Sequence, residues 1–199
     1  PEAFDGSVKG QARWMEDGKA LATADLDVVA VKGKIEAKRI EARVPGATLD
    51  AKGKGDRKSV SASGGLDVTD LRLVALAIAD FTGGEVLPLS GKGHLTLTGS
   101  GPLLHPAVSA SGGFETVAWD DLVLTGVKVD ASMADVRRPL ETQATLKVAQ
   151  LKIGSTVLEG LSAETKTEGK KLTATLAVKM ASLPLVNRVE ATIDPDNKG

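Results

Sequence analysis

The sequence predicts an all-β protein made of one elongated, curved antiparallel sheet, and three observations carry that reading. Apolar and polar residues alternate with a period of two in about a dozen segments. Gly, Pro and Asp, the residues that turns require, recur between those segments. The apolar positions are filled mostly by Ala, Val, Leu and Gly. With 3% aromatic residues and 22 glycines, such faces are too thin to fill the 10 Å space between two packed sheets.

In chain order, Leu49, Ala51, Gly53 and Gly55 begin the alternation. Lys58 to Val68 continues it, with Val60, Ala62, Gly64, Leu66 and Val68 on one face and Ser59, Ser61, Ser63 and Asp67 on the other. The next stretch, "TDLRLVALAIADFTGG", reads as a short helix near 70–80. Thr69 or Asp70 is placed to cap it, Leu71, Val74, Ala75 and Ile78 recur at helical spacing, and Gly83-Gly84 stops it. Strands resume with Leu89, Gly91, Gly93, Leu95, Leu97 and Gly99 against Lys92, His94, Thr96 and Thr98. Val127, Val129, Ala131 and Met133 form another apolar line, and Leu172, Ala174, Leu176, Val178 and Met180 form a later one. One short helix cannot cover so many strands, so the small inward residues imply closely approaching layers or a concavity that something else fills.

The hexamer "VSASGG" occurs at 60–65 and again at 108–113. Leu49-x-Ala51-x-Gly53-x-Gly55 precedes the first copy and Leu95-x-Leu97-x-Gly99-x-Gly101 the second. Repeats of this length indicate stacked units that cover one another. The expected organisation is therefore a single solenoid-like segment over 1–199, with quasi-repeats at about 47–88 and 89–135. The chain opens on Pro1 and ends on a polar tail, and is expected to be an internal piece of a longer protein.

Charge and motifs narrow the function classes. Twenty-five basic and 26 acidic residues are scattered singly and give a net charge of −1, which argues against nucleic acid as a partner. The absence of cysteine excludes disulfides and thiolate chemistry, and fits cytosol and periplasm equally. No apolar run is long enough for a transmembrane helix. His94 lies on a polar strand face and His105 in the turn "GPLLHP", without cysteines or carboxylates at metal-ligand spacing. Asp120 and Asp121 are adjacent, so on a strand they would point to opposite faces; a turn suits them better. "GKGDRKS" does not match the order of a phosphate-binding loop, and no G-x-S-x-G occurs. The sequence reads as non-enzymatic, with no cofactor, and the apolar face is what remains to carry function.

From Leu89 to Met133 the order of motifs is Gly93-x-Leu95-x-Leu97-x-Gly99, Pro106, Val108-x-Ala110, Leu122-x-Leu124 and Val127-x-Val129. This resembles the TamB and AsmA-like family of long periplasmic β proteins, and the likeness extends over about Val8 to Val178. The resemblance implies a β-taco whose apolar groove moves phospholipid, or another acyl-chain lipid, between the two membranes of a Gram-negative bacterium. It further implies a periplasmic location, an inner-membrane anchor in the full-length protein and a TamA-like outer-membrane partner reached by regions outside this segment. In that reading the groove is lined by Val60, Ala62, Leu66, Leu95, Leu97, Val108, Ala110, Phe114, Leu124, Val129, Leu146, Val148, Leu172, Leu176 and Val178. Two alternatives stand beside it: a scaffold that holds outer-membrane protein strands by edge pairing, and a structural spacer with a dry core.

Overall fold

Backbone pairing between sequence neighbours builds the whole molecule. The computed structural model describes residues 5–16, 19–138, 142–168, 171–180 and 183–193, with the last two segments given chiefly as backbone. They form a 12-stranded sheet in which spatial order equals chain order, every pair of neighbours being antiparallel. The strands are β1 (Gly6–Glu16), β2 (Lys19–Val31), β3 (Lys34–Val44), β4 (Ala47–Gly55), β5 (Ser59–Val68) and β6 (Leu89–Pro102), followed by β7 (Ala107–Trp119), β8 (Leu122–Met133), β9 (Thr142–Ile153), β10 (Thr156–Glu168), β11 (Lys171–Met180) and β12 (Leu183–Ile193). A single helix, α1 (Leu71–Thr82), interrupts the meander between β5 and β6. It is not long enough to cross a membrane. The fold is all-β with one short helix, as the alternation predicts.

The sheet stays open. Its surface measures 13573 Å², against about 8,900 Å² for a compact protein of this mass. The excess is the signature of a face with no second layer. Among the described residues the buried apolar side chains fall into two places. Ala47 and Val68, at the strand ends near α1, are buried with Ala75 and Ala79 of the helix. Val127, Val148 and Leu151 form the other cluster, on β8 and β9.

That second cluster sits on a crease. In β7, β8, β9 and β10 the apolar residues step by three instead of two: Phe114 to Val117, Leu124 to Val127, Val148 to Leu151, and Leu158 to Leu161. The extra residues, Glu115, Gly126, Ala149 and Gly160, lie opposite one another across the four strands. The row begins at the register shift between β6 and β7 and ends at the one between β10 and β11. Only the ends of the row are bulges of two residues against one, at Glu115 facing β6 and at Gly160–Leu161 facing β11. Between β7 and β10 the extra residues match one for one, and together they keep the apolar side chains on one face. Gly126 and Gly160 both take φ 64°, a left-handed backbone that glycine adopts without steric cost. A Cβ on Gly126 would also stand 2.9 Å from that of Ala149.

The turns follow their chemistry. Trp119 to Leu122 is closed by Asp120 and Asp121, as expected for adjacent acids, with Asp120 at φ 49°. At the β4–β5 turn the Asp56 carboxylate accepts hydrogen bonds from the Lys58 and Ser59 backbone N–H groups at 2.7 and 2.8 Å. The bond from Lys58, then that from Ser59, holds the Asp56 carboxyl below its ordinary pKa.

Two outcomes are expected in urea unfolding. Gly126→Val should lose about 2–4 kcal/mol from backbone strain and overlap with Ala149. Gly10→Ala, with open space around it, should change stability by less than about 0.5 kcal/mol. The Asp56 contribution should be complete above about pH 4, the unfolded aspartate range, and fade as pH falls through its lowered native pKa. Asp56→Asn should remove that part of the acid dependence while leaving the neutral-pH fold intact.

Candidate functional site

Alternation puts one set of small apolar side chains from each central strand on the same face. Rows of Cα partners run across the strands: Ala51, Gly64, Leu97, Ala110, Ala131 and Ala144 form one, and Gly53, Ala62, Gly99, Val108 and Met133 the next. Where these rows meet, the sheet is hollowed into a concavity of about 440 Å³. Its walls come from β4 to β9: Leu49 and Ala51, then Ala62, Ser63 and Gly64, then Leu97, Thr98 and Gly99, then Val108, Ser109 and Ala110, then Ala131, Ser132 and Met133, and finally Thr142. No charged residue is among them. Ser63, Thr98 and Ser109 occupy positions of the opposite parity, and the Thr98 and Ser109 hydroxyls bond each other at 2.7 Å. Six strands at the usual spacing give the hollow a run of about 24 Å along the rows, perpendicular to the strands.

Small residues shape the floor because they let backbones approach. A Cβ on Gly64 would lie 2.5 Å from the Asp50 carbonyl oxygen, and one on Gly112 would lie 2.1 Å from that of His94. Gly93 is covered by the Phe114 ring, whose Cδ1 is 2.4 Å from where its Cβ would be. The two hexamers thus occupy β5 and β7, on either side of β6. Two more residues separate Gly101 from the second hexamer than separate Gly55 from the first, and the pairing absorbs them: Gly53 pairs with Ala62 whereas Gly99 pairs with Val108. A two-residue slip keeps every side chain on its face.

The convex face is ionic. Lys9 meets Asp27 at 3.2 Å, Lys92 meets Glu115 at 2.9 Å, and His94 Nδ1 lies 2.6 Å from Asp67 Oδ1. Asp25, Glu41 and Asp50 are direct cross-strand partners, an alignment of like charges that would destabilise the sheet. Arg39 and Arg43, two residues either side on β3, take the two oxygens of the Glu41 carboxylate, which is 2% exposed. His105 sits in its turn with Nδ1 3.2 Å from Arg137, which also pairs with Asp135. Among the described residues no three potential ligands cluster to hold a metal ion.

Of the residues expected to line a groove, Ala62, Leu97, Val108 and Ala110 do border the concavity. Val60, Leu66, Leu95, Phe114, Leu124, Val129 and Leu146 share its face but lie beside it. Val148 belongs to the crease cluster and is 2% exposed, so it supports the floor without presenting itself. Leu172, Leu176 and Val178 fall in β11, outside the side chains described. Leu49, Ala51, Gly99, Ala131 and Met133 border the concavity as well and are not among the lining residues the sequence singles out. Each falls on the same period-two line as its neighbours, so the signal was present in the alternation and lacked only the strand-to-strand register.

No protein-family model, curated protein or solved structure matches this chain. The candidate site therefore rests on its own geometry.

Proposed function

We propose that this chain is a lipid-conducting segment whose concave face holds acyl chains. The observation that carries the reading is an uncharged concavity of about 440 Å³ spanning six strands on a sheet with no second layer. An alkyl chain laid along the rows would contribute roughly 0.8 kcal/mol for each methylene it removes from water. Six buried methylenes would thus contribute about 5 kcal/mol before the cost of ordering the chain. The small side chains and the absence of charge offer no polar anchor, which suits a ligand that slides. The resemblance to TamB and AsmA-like proteins supports the same reading, and with it a phospholipid cargo, a periplasmic setting and a TamA-like partner beyond this segment. No enzymatic step is required by any of this.

A fluorescent fatty-acid probe such as dansyl-undecanoic acid tests the proposal. Leu97→Arg, which places a charge in the concavity, should reduce probe binding at least about tenfold, the cost of an unpaired charge against an apolar wall. Thr96→Arg on the convex face should leave binding unchanged. Equal losses at the two positions, with both variants folded by circular dichroism, would contradict a groove.

A further inference from the structure

Antiparallel strands that pair only with their sequence neighbours place their connections alternately on two opposite rims of the sheet. One rim holds residues 45–46, 69–88 with α1, 120–121 and 154–155. The other holds 32–33, 56–58, 103–106 and 134–138.

The two rims carry opposite charge. Among the described connecting residues of the first, Asp70, Asp80, Glu85, Asp120 and Asp121 are accompanied by one base, Arg72. Asp70 is used in capping α1, where it accepts from the Arg72 N–H at 2.9 Å. The other four carboxylates belong to exposed residues and make no ion pair among the described residues. On the second rim the bases are Lys32, Arg57, Lys58, Arg137 and Arg138, with Lys34 immediately behind. Its acids, Asp56 and Asp135, are each engaged in their own turn. Asp56 accepts from the Lys58 and Ser59 N–H groups. Asp135 accepts from the Arg137 N–H at 2.9 Å and pairs with its guanidinium at 3.4 Å. Lys32, Lys34 and Arg57 make no ion pair among the described residues.

Large apolar side chains stand exposed beside these charges on both rims. Phe81, 67% exposed, follows Asp80; Val86 and Leu87 follow Glu85; Trp119 precedes Asp120. Opposite, Val31 and Ile35 bracket Lys32 and Lys34, Leu104 is 74% exposed beside His105, and Val136 precedes Arg137. Backbone bonds between successive connections make each rim a ridge. On the basic rim the Leu103 N–H donates to the Lys58 carbonyl at 3.0 Å, and the Val136 N–H to that of Pro106 at 3.2 Å. On the acidic rim the Thr69 and Asp70 N–H groups donate to the Gly46 carbonyl, and the Gly154 N–H to that of Asp121 at 3.3 Å. Ridges fixed in this way lose little freedom on docking. Connections recur along both rims at two strand spacings, about 10 Å, so the ridges share one repeat.

From this complementarity we infer that the acidic rim of one copy docks on the basic rim of a second copy of this chain. Aromatic and aliphatic side chains meet within the contact, and the charges pair around them. A bilayer suits the acidic rim poorly, because four carboxylates would have to enter it with Phe81 and Trp119. Two different surfaces make the contact heterologous, so copies add head to tail unless their rotation closes a ring. Docking along the strand direction leaves each concave face uncovered. The rim contact does not depend on the lipid reading.

Light scattering and sedimentation of the full chain test it with two charge-reversed variants. Glu85→Lys/Asp121→Lys puts bases on the acidic rim, and Lys34→Glu/Arg57→Glu puts acids on the basic one. The unaltered chain should associate with rising concentration, and at least about tenfold more weakly when salt goes from about 0.05 M to about 0.5 M. Each variant alone should also associate at least about tenfold more weakly. An equimolar mixture of the two should recover association, since each then meets a complementary rim; misfolded variants would not recover. An unaltered chain that stays monomeric up to about 0.5 mM would overturn the contact. So would variants that associate as the unaltered chain does, or a mixture no stronger than its components. A chain that stays monomeric but binds phosphatidylglycerol vesicles through Lys34 and Arg57 would give the basic rim to a lipid surface, and overturn the contact equally.

Discussion

Hydrogen bonding between adjacent strands has to carry this molecule, because its apolar face has no second layer to pack against. In an ordinary sandwich, facing side chains supply the core and the ladder follows. Here the order reverses. Each strand pairs only with its neighbours in sequence, and apolar burial among the described residues is confined to the α1 flank and the crease cluster. The other described side chains of the concave face are half-buried or exposed. Such a face is tolerable in a folded protein when a ligand covers it, and exposed apolar patches of this extent mark binding surfaces.

The glycines and bulges convert that ladder into a shape. At Gly64, Gly93 and Gly112 a side chain would collide with the neighbouring strand, so glycine permits the close approach on which the hollow depends. The four-strand row of extra residues, matched across β7 to β10, keeps the apolar side chains on one face in all four strands. Gly126 and Gly160 provide the left-handed backbone on β8 and β10. On the convex side, the Arg39–Glu41–Arg43 cluster neutralises a line of cross-strand carboxylates that would otherwise push β2, β3 and β4 apart. Shape on one face and charge balance on the other are separate solutions, made possible by strict alternation.

The fold class was readable because period two needs no tertiary information. Val60, Ala62, Gly64 and Leu66 declare one face of β5 by themselves, and Asp70 and Gly83 mark the helix at both ends. The crease was also written in the sequence, as the three-residue step in Leu122-x-Leu124-x-x-Val127-x-Val129, but its meaning depends on four strands sharing it in register. The same limit applies to the concavity. Leu97 and Val108 stand out as apolar residues on alternating strands, whereas Ala51, Gly64 and Ala131 become wall residues only through their partners. The Trp14–Phe81 contact joins residues 67 positions apart in the sequence and leaves no local pattern that foretells it.

Site-specific photocrosslinking in cells that make the protein tests the account most directly. A benzophenone amino acid at Ala110 points into the concavity, and one at Ser111 points out from the convex face. Mass spectrometry after irradiation should find acyl-lipid adducts at position 110 and none at 111. Protein adducts alone at position 110, or equal lipid labelling at both positions, would contradict a face built to hold acyl chains.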